Sequence, residues 1–147
     1  MPVSELNATI VSNKTVMDYI SVSNSTNSMT VTNKGSYLEY SRIDASITIS
    51  LGSGYSGTSA ITVSAILRYN NHYTSSGYEV LEIGRISSFS LTKGNSATKS
   101  IGSSVVVRSD LTKDDSQLNC QLHVSVTEGS SVYERDFSVV LDTTSWG

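Results

Sequence analysis

Residues 42–51, RIDASITISL, put Ile43, Ala45, Ile47, Ile49 and Leu51 on one side of an extended chain and Asp44, Ser46, Thr48 and Ser50 on the other. Strict period-two alternation marks a strand with one buried and one wetted face. Residues 60–69, AITVSAILRY, repeat the pattern with Ile61, Val63, Ala65, Leu67 and Tyr69 on the apolar side. The segment between them, GSGYSGTS at 52–59, carries three glycines and reads as a flexible hairpin loop.

Further along, Leu118, Cys120, Leu122, Val124 and Val126 alternate with Asn119, Gln121, His123, Ser125 and Thr127. After the turn signal EGSS at 128–131, Tyr133, Phe137, Val139 and Leu141 continue the alternation, with Arg135 as its exception. These two runs predict an antiparallel hairpin. Weaker strand patterns occur around Tyr78 to Ile83, Phe89 to Leu91 and Val105 to Val107. The apolar phase slips between Tyr78/Val80 and Leu81/Ile83, and again between YLEY (37–40) and Ile43, predicting bulges at both places, with Gly84 offering a bend.

Together these segments give roughly eight to ten short strands and no helix-length apolar stripe. The expected fold is all-β: an immunoglobulin-like or Greek-key β-sandwich, with a small barrel as the other closed solution. Residues 1–32, with the short runs NATIV, TVMDYISVS and SMTVT, are expected to form a hairpin or an extended N-terminal arm. Residues 33–147 form the sandwich domain, which the arm either leaves or joins.

Composition agrees with this class. In 147 residues, 37% are hydrophobic and 16% charged, while Ser and Thr approach a third. Hydroxylated residues favour strands and turns over helix interiors. The net charge of −3 provides no cationic surface for phosphates, which speaks against a nucleic-acid partner. No run is long and apolar enough to insert in a membrane, and the opening MPVSELNATIV has no export-signal pattern, so synthesis and folding in a cytoplasm are expected. The Asn-x-Ser/Thr triplets at Asn7, Asn13 and Asn24 then read as by-products of composition. Cys120 has no second cysteine to pair with, and its place beside Leu118 and Leu122 predicts a buried thiol.

The stretch SVVVRSDLTKDDSQLNCQLHVSV, 104–126, resembles the E–F corner and F strand of immunoglobulin-like domains. Asp115, Ser116, Leu118 and Cys120 stand at the positions of that family's Asp-Ser/Ala-x-Tyr-x-Cys run. The resemblance implies that residues 100–108 act as strand E and 132–141 as strand G. The chain departs from the family in three ways: Leu118 replaces the corner tyrosine, Cys120 cannot form the inter-sheet disulfide, and the single Trp146 is not on strand C. As a whole, a cysteine-poor, Ser/Thr-rich β-protein of this size is similar to auxiliary structural proteins of tailed bacteriophages, including capsid decoration and tail proteins. That resemblance implies a virion location, contacts with capsid or tail proteins, and self-association.

The candidate contact site is RYNNHYTSSGY, 68–78. Tyr69, Tyr73 and Tyr78 offer aromatic faces, while Asn71 and His72, with Asn70, offer directional hydrogen bonds. Such a set suits a protein interface or a sugar ring; a hairpin whose tyrosines cap the core is the plainer reading. No metal is expected, since His72 and His123 have no partner at ligand spacing, and Asp110, Asp114 and Asp115 lack calcium-loop order. No cofactor is expected either, because no phosphate-loop pattern is present. Glu79 with Glu82, or Asp18 with Glu39, could be paired as glycosidase carboxylates only arbitrarily, and there is no G-x-S-x-G elbow. The expectation is a non-enzyme: a virion structural protein or, as the alternative, a carbohydrate-binding adhesion module recognising surface glycans.

Overall fold

The computed structural model describes residues 14–57, 59–109, 117–142 and 145–146. A 3₁₀ turn at Val16–Tyr19 leads into β1 (Ile20–Asn33), β2 (Leu38–Leu51), β3 (Ile61–Thr74), β4 (Gly77–Leu91), β5 (Ser96–Ser103), β6 (Val107–Ser109), β7 (Gln117–Glu128), β8 (Ser131–Asp142) and β9 (Ser145–Trp146). The fold is all-β and sandwich-like. One sheet has the order β5-β2-β1-β9, with β6 also on β2, and the other has β4-β3-β7-β8. All pairings are antiparallel except the short β1–β9 contact.

Alternation sets each strand's inner face. In β2, Ile43, Ile47, Ile49 and Leu51 are buried beside Ala45, and in β7 Leu118, Leu122, Val124 and Val126 are wholly enclosed beside Cys120. Each fully buried Leu or Ile contributes about 1.5–3 kcal/mol. The expected β7–β8 hairpin forms with Val126 opposite Tyr133 and Leu118 opposite Leu141.

Both expected bulges are present. On β2, Ser28 pairs Asp44 and Thr30 pairs Ser41, so Arg42 and Ile43 together oppose Met29. Arg42 takes φ 49°, the left-handed conformation that a bulge can require. This slip lets Leu38, Tyr40 and Ile43 all reach the core. The same irregularity divides the neighbouring edge: β5 pairs Ile43 to Ser50, and β6 pairs Leu38 to Tyr40. At the second slip Tyr69 pairs Leu81 and His72 pairs Glu79, so Asn70 and Asn71 of β3 together oppose Val80; a further bulge follows on β4, where Leu67 pairs Gly84 and Arg68 pairs Glu82, leaving Ile83 as the extra residue.

The segment 52–59 does not make the expected hairpin. It crosses from β2 in one sheet to β3 in the other. Its tyrosine explains the difference, because Tyr55 is only 7% exposed and its hydroxyl donates to Glu128 Oε2 at the end of β7. A β-carbon at Gly57 would run into the Tyr55 ring, so glycine lets the loop wrap around that plug. Gly84 is likewise no free bend: it lies within β4, against Ile101 of the opposite sheet.

Of the stretch read as an arm, residues 1–13 lie outside the described residues. Residues 20–33 pair with β2 of the same chain along their length, and Met29 and Val31 are completely buried. The 3₁₀ turn before them is closed by a capping box, in which Thr15 Oγ1 accepts from the Met17 amide at 3.3 Å and Asp18 Oδ2 accepts from the Thr15 amide at 2.8 Å.

Side chains bridge both flanks of the sandwich. Asn24 Nδ2 donates to the Val140 carbonyl at 2.9 Å, joining β1 to β8. Arg135 donates to the Met17 carbonyl at 3.2 Å and pairs with Asp18 at 3.3 Å. That explains the break in β8's apolar pattern: its guanidinium ties the edge strand to the 3₁₀ turn, and a charge there also discourages edge-to-edge pairing. On the other flank, Lys99 Nζ lies 4.9 Å from the Phe89 ring centroid.

Candidate functional site

The candidate site lies at the end of the sandwich where β3 turns into β4. Thr74 pairs Gly77 across a two-residue turn of Ser75 and Ser76. Thr74 Oγ1 donates to the Gly77 carbonyl at 2.9 Å and accepts from the Ser76 amide at 3.2 Å, and Gly77 takes φ 113°. This closure places Tyr73 directly opposite Tyr78, with ring centroids 5.5 Å apart and an edge-on angle of 70°. Edge-to-face packing directs the positive rim of one ring at the negative face of the other.

A second turn supplies the neighbouring wall. Asn33 Oδ1 accepts from the Gly35 amide at 2.9 Å, Gly35 takes φ 94°, and the Lys34 amide donates to the Tyr37 carbonyl at 3.0 Å. Tyr37 thereby sits immediately before β2, whose first residues pair with β6. Arg108 on β6 lies with its guanidinium carbon 3.9 Å from the Tyr37 centroid and 5.5 Å from that of Tyr73. The result is a run of Tyr37, Arg108, Tyr73 and Tyr78 that spans the two sheets. Each cation–π contact contributes about 0.5–1 kcal/mol when exposed and more when desolvated. Tyr78 at the outer end is 61% exposed, and Val80 next to it is 59% exposed.

The structure therefore brings Tyr73 and Tyr78 together as a surface. Tyr69 is 6% exposed and belongs to the core, in phase with Leu67. Asn71 is exposed and, with Asn70, lines a depression of about 420 Å³ where β3 and β7 part company beyond the Arg68–Gln121 pair. His72 is half-buried, with Nδ1 enclosed. Tyr37 and Arg108 were not singled out from sequence. The available signals were Tyr37 following the Asn-Lys-Gly turn and Arg108 closing an otherwise apolar run, and neither reveals their meeting.

The other chemistry-bearing residues fall elsewhere. His123 Nδ1 lies 2.7 Å from Asp136 Oδ1, and its Nε2 lies 3.4 Å from Glu134 Oε1, on the outer face of the β7–β8 pair. Cys120 is 4% exposed, and burial pushes its thiol up to about 12, away from thiolate chemistry. Among the described residues, no group of three or more His, Cys, Asp or Glu side chains converges in a way that could hold a metal ion. Asp110, Asp114 and Asp115 lie outside the described residues.

No protein-family model matches this chain, and no curated protein does. Among solved structures, it is similar to the Pseudomonas fluorescens alkylpurine DNA glycosylase AlkC bound to DNA containing an abasic site analog, at 14% identity and a TM-score of 0.37. The match covers 82% of this chain but 30% of that one. A likeness of that size leaves function to be argued from this chain's own residues.

Proposed function

We propose that this chain is a structural protein of a bacteriophage virion, a capsid decoration or tail component that acts by protein–protein contact with capsid or tail proteins and with copies of itself. The observation that carries the reading is the Tyr37–Arg108–Tyr73–Tyr78 run. Tyrosine and arginine are the residue types that dominate binding energy at interfaces, and here they stand together at one end of a rigid sandwich. Stacking holds the guanidinium plane in place before a partner arrives, which lowers the ordering cost of association.

The finer fold reading is an immunoglobulin-like sandwich. Support comes from the strand order: β5-β2-β1 corresponds to E-B-A, and β4-β3-β7-β8 to C′-C-F-G. Such a module is made in a host cytoplasm and incorporated into the particle. Mass spectrometry of phage particles purified from cells carrying this coding sequence tests the placement. Peptides of this chain in fixed ratio to the major capsid or tail protein are expected; particles without them contradict it.

The second reading, a carbohydrate-binding adhesion module, is favoured by one feature: the Tyr78 ring is largely exposed and braced edge-on by Tyr73, as a sugar-stacking platform would be. Loss of glycan binding on Tyr78→Ala, with the fold retained, is its expected outcome.

A further inference from the structure

The opposite end of the sandwich holds an open depression of about 580 Å³, within the size range of small-ligand sites. Its walls come from separate parts of the chain: Lys14 and Tyr19 around the 3₁₀ turn, Tyr55 in the sheet-crossing loop, Glu128 at the end of β7, and Tyr133 on β8. Tyr19 and Tyr55 pack with centroids 5.9 Å apart at 59°, and Lys14 Nζ lies 5.9 Å from the Tyr19 centroid. The Tyr55 hydroxyl donates to Glu128 Oε2 and so holds that carboxylate at the wall of the depression.

We infer that this depression binds a neutral saccharide ring. A pyranose offers C–H groups on its faces and hydroxyls around its rim. The former suit the negative face of the half-buried Tyr133 ring. The latter suit a carboxylate and an ammonium group, because a carboxylate has about four lone-pair sites, of which Tyr55 takes one, and a lysine has three donors. The charges select against other ligand classes. An apolar ligand would desolvate Lys14 and Glu128 without replacing their hydrogen bonds. An anion meets Glu128, and a cation meets Lys14. The site lies away from the Tyr37–Arg108 run and does not rest on the function proposed above.

The test is an amide NMR titration of the full chain with methyl α-glucopyranoside, methyl β-galactopyranoside and N-acetylglucosamine. At least one is expected to bind in the millimolar range and to shift signals of Lys14, Tyr19, Tyr55, Gly57 and Glu128. Tyr133→Ala and Glu128→Gln are expected to weaken that binding by about 10-fold or more, a loss of about 1.4 kcal/mol. Arg85→Ala, at an exposed position on β4 outside both sites, is expected to leave it unchanged. If Tyr133→Ala fails to fold, Lys14→Ala, at an exposed position, takes its place with the same expectation. The inference is overturned if none of the three sugars shifts these signals, if the shifts centre on Tyr73 and Tyr78, or if the folded variants bind as tightly as the parent.

Discussion

Gly84 of β4 backs onto Ile101 of β5 across the sandwich, so closely that a β-carbon at position 84 would collide with Ile101 Cγ2. The two belong to different sheets, and their contact sets the spacing at the β4–β5 flank. Gly84→Ala is therefore expected to destabilise the fold by about 1–3 kcal/mol, the usual cost of overpacking. Urea denaturation checks it. In the double variant with Ile101→Ala, the two losses are expected to be less than additive. A Gly84→Ala protein as stable as the parent contradicts the close approach.

Removing residues 1–32 is expected to unfold the protein. The truncation strips out nearly all of β1, which pairs with β2 throughout and carries the buried Met29 and Val31. Loss of two such core side chains alone costs several kcal/mol, on the order of half a small domain's stability. Circular dichroism of the truncated chain is the check. A retained β-sheet spectrum and cooperative melting contradict this account.

Tyr55 makes a prediction about alkaline pH. Its hydrogen bond to Glu128, with burial and the nearby negative charge adding to it, pushes the phenol from 10.0 up to about 12. The folded value lies above the unfolded one, so the associated stability is fully present below pH 10.0 and lost as pH rises through about 12. Ultraviolet titration of phenolate absorbance is expected to show a late step that Tyr55→Phe removes. An unchanged titration curve in that variant contradicts the assignment.

Local pattern carries part of this architecture and stops at contacts between distant residues. The β7–β8 hairpin follows from clean alternation on either side of Glu128–Ser131, and the β2 bulge and the register shift opposite Val80 follow from slips of apolar phase at Ser41 and Leu81. Both are properties of neighbours along the chain. The crossing at 52–59 is not, because a glycine-rich segment is compatible with a hairpin until Tyr55 finds Glu128. Arg135 looked like an error in an apolar pattern until the 3₁₀ turn supplied its partners. In the candidate site, Tyr73 and Tyr78 share one hairpin, so their pairing could be read locally. Tyr69's alternation with Leu67 already placed it on the core face. Tyr37 and Arg108 meet only because β6 pairs with the start of β2.

Association between copies of the chain is proposed to run through the Tyr37–Arg108–Tyr73–Tyr78 end. Size-exclusion chromatography with light scattering, run on the full chain, Tyr78→Ala and Arg108→Ala across a range of concentrations, tests it most directly. A defined oligomer is expected for the parent chain, with a shift toward monomer in both variants, each still folded. A parent that stays monomeric throughout, or variants that keep the parent's oligomeric mass, would contradict it.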